Sequence, residues 1–167
     1  MVNEWRGIPS RVQMYRQVQV FLSSTGALMP ERQAVCDALA AGPYKIFAYE
    51  HQRPTGKSPM KVCEERIQDS DVFLGLVGGD FGSPLPGKPD VAIHHWEFGC
   101  AEARGGALEM MVYIKQLADD EIDKKQKEFR SKAGCFSPPG KYSYLFSSLE
   151  DLRTKVGQHM GEWLREY

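Results

Sequence analysis

The sequence has no long apolar run, no excess of positive charge and no signal-like start. Its longest apolar stretches, such as Val72–Val77, are far shorter than the roughly 20 residues that cross a bilayer. The net charge is -1 over 167 residues, which gives no general attraction to nucleic acid or to an acidic membrane surface. Residues 1–16 carry charged side chains instead of the apolar core of a signal peptide. We therefore expect a soluble, cytoplasmic protein with no nucleic-acid or membrane partner.

Cysteine is scarce and is not arranged for metal binding. The four cysteines lie far apart, and none forms a C-x-x-C pair; they are Cys36, Cys63, Cys100 and Cys135. Three of them fall within apolar helix faces, where a free thiol acts as a small hydrophobic side chain. We predict reduced, buried cysteines and no metal site.

The chain shows no internal repeat, and strand-like runs alternate with amphipathic helical stripes. Strands are predicted over 18–23, 44–49, 71–77, 108–115 and 142–146, and helices over 31–41, 59–69, 91 or 94 to 104, 119–133, and from 147 to the end. This alternation is typical of a parallel sheet with right-handed crossovers. We predict a leader over 1–17 and one α/β domain over 18–167, a three-layer flavodoxin-like sheet of five parallel strands in the order 2-1-3-4-5.

Local signals refine these boundaries. Ser58 and Pro59 are favourable residues for a helix start, and Ser147 with Glu150 predicts a capping box for the last helix. Three prolines over 83–89 predict a loop without regular structure. The helix over 119–133 has a buried stripe that includes Gln126.

Two strand ends are the candidate ligand site. The first strand ends in Ser23, Ser24 and Thr25, and the third ends in the glycine-rich turn over 78–82. In the predicted topology these ends meet at the crevice beside the carboxyl edge of the sheet. Candidate ligand-binding residues are Ser23, Ser24, Thr25, Gly78, Gly79, Asp80, Phe81 and Trp96. The alternatives are an ST-turn for the hydroxyl residues, a plain turn for the glycines and a core position for Trp96.

Glu97 is the candidate catalytic residue, because it lies early in the helix that follows the third strand. A carboxylate there can bind two ribose hydroxyls or act at an anomeric carbon. The alternative is a simple favourable interaction with the positive end of its helix. His94 and His95 are adjacent and should point apart, which argues for surface or capping roles and against shared metal binding; the alternative is that one of them acts as a proton-transfer group. Arg32, beside Glu31, could form an ion pair or reach a phosphate.

Several segments resemble a domain-of-unknown-function family found at the N-terminus of STAND-type NTPase proteins. The segments are 20–25 (VFLSST), 30–32 (PER), 58–63 (SPMKVC), 70–82 (SDVFLGLVGGDFG) and the small-residue helix that holds Glu97. The resemblance covers residues 18–115. That family is similar to Toll/interleukin-1 receptor (TIR) domains and to nucleoside 2-deoxyribosyltransferases. Residues 92–96 (AIHHW) replace the aspartate-glycine-threonine segment usual in the transferases, which favours the TIR-like alternative.

The resemblance implies a function for Glu97. In both relatives a glutamate at the matching place serves an N-glycosidic bond, so a TIR-like chain is expected to cleave the nicotinamide–ribose bond of NAD in cytoplasmic signalling or defence. NAD would then be the substrate, with no cofactor and no metal, and the chain could form a homo-oligomer. Two alternatives stay open at this point: a non-catalytic interaction or oligomerisation module, and a deoxyribosyl-transferring enzyme.

Overall fold

The computed structural model describes residues 16–48, 55–135 and 141–167. In these ranges the elements are β1 (Val18–Ser23), α1 (Met29–Leu39), β2 (Tyr44–Phe47), α2 (Pro59–Gln68), β3 (Val72–Val77), β4 (Pro84–Leu85), β5 (Lys88–Ala92), α3 (Ile93–Glu102), β6 (Glu109–Lys115), α4 (Lys124–Ala133), β7 (Lys141–Phe146) and α5 (Leu149–Glu166). Most of the predicted leader, and the end of the predicted second strand at Tyr49, lie outside the described residues.

The main sheet has the predicted topology. Its parallel strands follow the order β2-β1-β3-β6-β7, which is the flavodoxin-like order 2-1-3-4-5 once the small β4–β5 hairpin is set aside. β3 is buried along its whole length, as its uninterrupted apolar run predicts for a central strand. The predicted fold class is confirmed.

Two apolar cores hold the helices on opposite faces of the sheet. On one face α1 and α5 pack through side chains such as Val35 and Val156, and on the other face α2, α3 and α4 pack through side chains such as Ile67 and Phe98. A row of rings crosses the strands on the second face, because the register places Phe21 between Phe47 and Phe73. Stacked rings of this kind fix both the register of the strands and the position of α3 above them.

The proline-rich segment is not an irregular loop, contrary to the sequence prediction. It forms the antiparallel hairpin β4–β5, in which Leu85 pairs with Lys88. Gly87 has a φ of 78°, and Pro86 precedes it, which is the residue pair that a type II turn requires. Proline is tolerated because a two-stranded ribbon has outward edges that need no amide donor.

Two helix boundaries also differ from the prediction. The segment over 119–133 is divided into a short 3-10 turn, Asp119–Glu121, and α4, which begins only at Lys124. The last helix is capped by Ser148, whose hydroxyl accepts from the Asp151 amide, and not by Ser147 with Glu150. The Ser58 cap with Pro59 in the first turn of α2 is confirmed.

Cysteine burial is less uniform than predicted. All four cysteines are free, but only Cys63 is buried, while Cys36 and Cys100 are half-buried and Cys135 is exposed. In the described ranges, no helix has the length and apolar character that would let it cross a membrane.

Candidate active site

A cavity of about 680 Å³ opens beside the carboxyl end of β1, between the starts of α1, α2 and α3. This volume lies within the range of roughly 300–1,000 Å³ that small-molecule sites occupy. One part of the wall is apolar and the other part is polar. The lining residues are Leu22, Ser24, Thr25, Gly26, Met29, Arg32, Ser58, Pro59, Met60, Cys63, Ser83, Pro86, Ile93, His94 and Glu97.

Glu97 lies on the cavity wall as a buried carboxylate with 6% exposure. The hydroxyl of Ser23, the last residue of β1, donates to Glu97 Oε2 over 2.5 Å. Burial, together with the charge and hydrogen bond of Glu97, raises the pKa of the Cys63 thiol to about 12, so the thiol stays protonated beside the carboxylate. A strand end and α2 together therefore hold the carboxylate of α3 in one position.

The first loop forms the polar wall next to Glu97. Arg32 is buried at 6% exposure, and its guanidinium donates to Ser24 Oγ over 2.7 Å, while the Ser24 hydroxyl donates to the Thr25 carbonyl. Glu31 does not pair with its neighbour, because its carboxylate accepts from Lys115 at the end of β6 over 2.6 Å. The cation Arg32 thus lines the cavity, held by the same strand end that holds Glu97.

His94 and His95 converge, which corrects the expectation that they point apart. Their ring centroids are 4.3 Å apart, and the Nε2 atoms lie 3.3 and 2.7 Å from one atom, Gln126 Oε1. The fully buried Gln126 amide donates to the Gly78 carbonyl, so its oxygen must face the imidazoles and accept from both. His94 and His95 are about 100° apart around α3, but both rings turn toward the Gln126 amide of α4, which they share as a hydrogen-bond partner. Both rings therefore carry their proton on Nε2.

The buried His94 should make the protein sensitive to acid. Burial, and to a smaller extent the neighbouring His95, lower the pKa of His94 from an ordinary value near 6.5 to about 3. The unfolded chain binds the proton first, so this contribution is complete above pH 6.5 and is lost as pH falls toward 3. When the pH is lowered from about 7.5 to about 5.5, the free energy of unfolding should fall in both proteins. The fall should be about 1.4 kcal/mol smaller in His94→Gln than in the wild type, as measured by urea titrations. Equal losses in the two proteins would contradict the assignment.

Six of the eight residues predicted to bind substrate do not line this cavity; one of the six, Ser23, is bonded to Glu97, which does, and the other five lie elsewhere. Gly78 and Gly79 are packing positions, since a side chain there would press on Leu28 and on the Glu121 carbonyl respectively. The Phe81 amide donates to Asp123, and its ring packs on His95. Asp80 is exposed, and Trp96 packs against the core on the α2, α3 and α4 face. A role for these five in ligand binding stays a prediction, whereas Ser23, Ser24, Thr25 and Glu97 are brought together.

The sequence reasoning did not assign His94, Cys63 or the apolar wall to the site. A signal for His94 was available, because it lies three residues before Glu97 and so shares its helix face. No such signal exists for Met29 or Met60, whose convergence depends on how α1 and α2 approach each other. Within the described part of the chain, no group of three His, Cys, Asp or Glu side chains is placed to hold a metal ion.

The fold and the site define a flavodoxin-like α/β protein whose strand-end cavity holds a buried glutamate. The chain belongs to the family described as Domain of unknown function (DUF4062), whose profile matches residues 19–161. No curated protein matches it.

Several solved structures match the chain, among them an N-glycosidase and a flavodiiron core. The CMP N-glycosidase BcmB of Clostridium botulinum superposes with a TM-score of 0.54 at 15% identity, over 84% of this chain and 98% of that chain. The Flv1 flavodiiron core from Synechocystis sp. PCC6803 gives a TM-score of 0.47 at 14% identity, over 90% of this chain and 38% of that chain. At such identities, the likeness to BcmB concerns the fold.

Proposed function

We propose that this chain is an N-glycosidase that cleaves the bond between a base and the sugar of a small nucleotide, with Glu97 as its catalytic residue. The observation that carries the proposal is the buried Glu97 carboxylate on the wall of a nucleotide-sized cavity, held by Ser23 at the carboxyl end of β1. A ligand in such a site meets this fixed carboxylate. The fold shared with a CMP N-glycosidase supports the same class of reaction.

The reaction needs little from the protein beyond charge and position. The C1′–N bond breaks, its electron pair leaves with the base, and positive charge develops on the ribose ring. The Glu97 carboxylate faces C1′ and stabilises this charge, which is largest in the transition state. Water then forms the new C1′–O bond and releases one proton to solvent. Ser23 and the protonated Cys63 keep the carboxylate from turning away from the sugar.

Among nucleotides, NAD is the substrate we propose. Its nicotinamide is bound as a pyridinium cation and leaves as a neutral base, so departure needs no proton donor. The apolar wall formed by Met29, Met60 and Ile93 suits a flat ring, and Arg32 on the polar wall suits the pyrophosphate. A TIR-like role at the N-terminus of a STAND-type NTPase, in cytoplasmic signalling or defence and as a homo-oligomer, is part of this proposal.

The test is a substrate panel. Purified protein is incubated separately with NAD, CMP and 2′-deoxycytidine 5′-monophosphate, and free base is measured by chromatography over a range of protein concentrations. Light scattering of the same samples reports their oligomeric state. Nicotinamide release supports the proposal in full, and cytosine release supports an N-glycosidase with a different substrate. Release of no base at any concentration or oligomeric state would leave a non-catalytic module.

A further inference from the structure

Two polar atoms beside the catalytic carboxylate have no hydrogen-bond partner among the described residues. Thr25, at 6% exposure, has the one buried side-chain oxygen or nitrogen in the described ranges that lacks a partner, Oγ1. His94 uses Nε2 for Gln126, and its Nδ1 carries a lone pair with no hydrogen bond assigned to it. Both residues line the cavity. A buried polar group without a partner is costly, so Thr25 Oγ1 is typical of a place that a ligand completes. His94 Nδ1, which is not among the fully buried atoms without a partner, is a second group that the same ligand can reach.

Gly82 lies beside both of these residues, where a larger side chain would not fit. A Cβ atom at this position would approach Thr25 Cγ2 to 2.7 Å and His94 Nδ1 to 3.6 Å. Its φ of +74° also favours glycine. Thr25 and His94 are therefore close to the same glycine on the cavity wall.

The pair is chemically complementary to a hydroxyl group. The Gln126 amide fixes the proton of His94 on Nε2, which leaves Nδ1 able only to accept. The Thr25 hydroxyl is able to donate, since no described acceptor takes its proton. A ligand hydroxyl donates one hydrogen bond and accepts others, so a single hydroxyl satisfies both atoms. A carbonyl would satisfy only the threonine, and an amino group would satisfy both atoms only by donating to each of them, which leaves the threonine proton without an acceptor.

The position of the pair relative to Glu97 indicates which hydroxyl is bound. His94 and Glu97 are three residues apart on α3, so their Cβ atoms are about 5–6 Å apart on one face. A ribose whose C1′ faces Glu97 therefore presents its ring hydroxyls within reach of His94. We propose that His94 Nδ1 and Thr25 Oγ1 together bind a ribose hydroxyl, so that the site selects ribosides over deoxyribosides. This inference rests on the proposed function for the orientation of the sugar.

Two substitutions of His94 separate binding from structure. His94→Gln places an amide nitrogen near the position of Nε2, which keeps the contact with Gln126 and removes the acceptor. His94→Asn places an amide oxygen near the position of Nδ1, which keeps the acceptor and loses the contact with Gln126. We expect His94→Gln to lose selectivity at nearly wild-type stability, and His94→Asn to keep selectivity at lower stability. If His94 had only a structural role, selectivity would follow stability: His94→Gln would keep it and His94→Asn would lose it.

The probes are ribose 5-phosphate, 2-deoxyribose 5-phosphate and 3-deoxyribose 5-phosphate, with binding measured by calorimetry. The wild type should bind ribose 5-phosphate about tenfold more tightly than at least one deoxy sugar, and which of the two binds poorly identifies the hydroxyl. In His94→Gln and in Thr25→Val, this preference should fall to within about twofold. Equal binding of all three sugars by the wild type, or no binding, would overturn the inference.

A second measurement does not depend on turnover. Nitrogen NMR of the free protein should show Nδ1 of His94 unprotonated, and ribose 5-phosphate should shift its signal. Protonation on Nδ1 would overturn the inference even if base release is observed. Conversely, a ribose preference without base release would refute the proposed activity and leave the hydroxyl site standing.

Discussion

Glu97→Gln is expected to lower the rate of base release by on the order of 10²- to 10³-fold. The amide has nearly the same shape as the carboxylate, and its oxygen can still accept from Ser23. In the wild type the Ser23 hydroxyl lies 2.5 Å from Glu97 Oε2. It has lost the negative charge that opposes the positive charge developing on the ribose. Because that charge is largest in the transition state, kcat should fall while KM changes little. The measurement is steady-state kinetics on whichever substrate of the panel is turned over.

The matched control for this prediction is Glu102→Gln. Glu102 lies on the same helix, away from the cavity, and pairs with Lys132 over 3.1 Å. It should retain wild-type kinetics, since partly exposed ion pairs contribute little. If Glu97→Gln kept wild-type activity while both variants had normal thermal unfolding, Glu97 would not be the catalytic residue.

Gln126→Leu is expected to lower the free energy of unfolding by about 2–4 kcal/mol. The leucine leaves the Nε2–H groups of His94 and His95 without the oxygen that they share. Each unsatisfied buried donor costs about 1–3 kcal/mol, and the cost should be lower for the less buried His95. The Gly78 carbonyl keeps a donor, because Arg130 reaches it over 3.1 Å, so it adds little to the loss.

Urea unfolding is the measurement for this variant, with Glu128→Leu as its control. Glu128 is an exposed residue on the same helix, and its replacement should change the stability by no more than about 0.5 kcal/mol. Gln126→Leu should also weaken any ribose preference, because the histidine proton is no longer fixed on Nε2. A leucine variant as stable as the wild type would show that the amide adds nothing to the fold.

The sheet could be predicted because its evidence is local. The uninterrupted apolar run of β3 determines that this strand is central, and the alternation of strands and helices leaves few topologies. The start of α2 was readable from Ser58 and Pro59, since a cap acts within a few residues. The β4–β5 hairpin could not be predicted from the prolines alone, because it depends on the turn at Gly87, around which the ribbon forms.

The candidate site was predicted only where the fold rule applies directly. The carboxyl ends of parallel strands share one edge, so Ser23, Ser24 and Thr25 could be expected near a crevice, and Glu97 near them by its place after the third strand. The same rule also placed Gly78 and Gly79 in the site, where their role stays a prediction; in the structure both lie in close contact with other chain segments and neither lines the cavity. Spacing along the chain does not distinguish a glycine that meets a ligand from one that meets a neighbouring backbone.

The sequence by itself determined the fold, the edge of the sheet where the cavity opens and the residue that brings a carboxylate there. Tertiary structure alone decided that Ser23 is used to hold Glu97, that Arg32 lies in the cavity wall, and that Gln126 joins two histidines from another helix. The physical reason is the separation along the chain over which each kind of interaction acts. Strand and helix signals act over a few residues, whereas Ser23 and Glu97 are 74 residues apart, and His94 and Gln126 are 32 apart. Contacts of that kind are set by how the helices pack on the sheet.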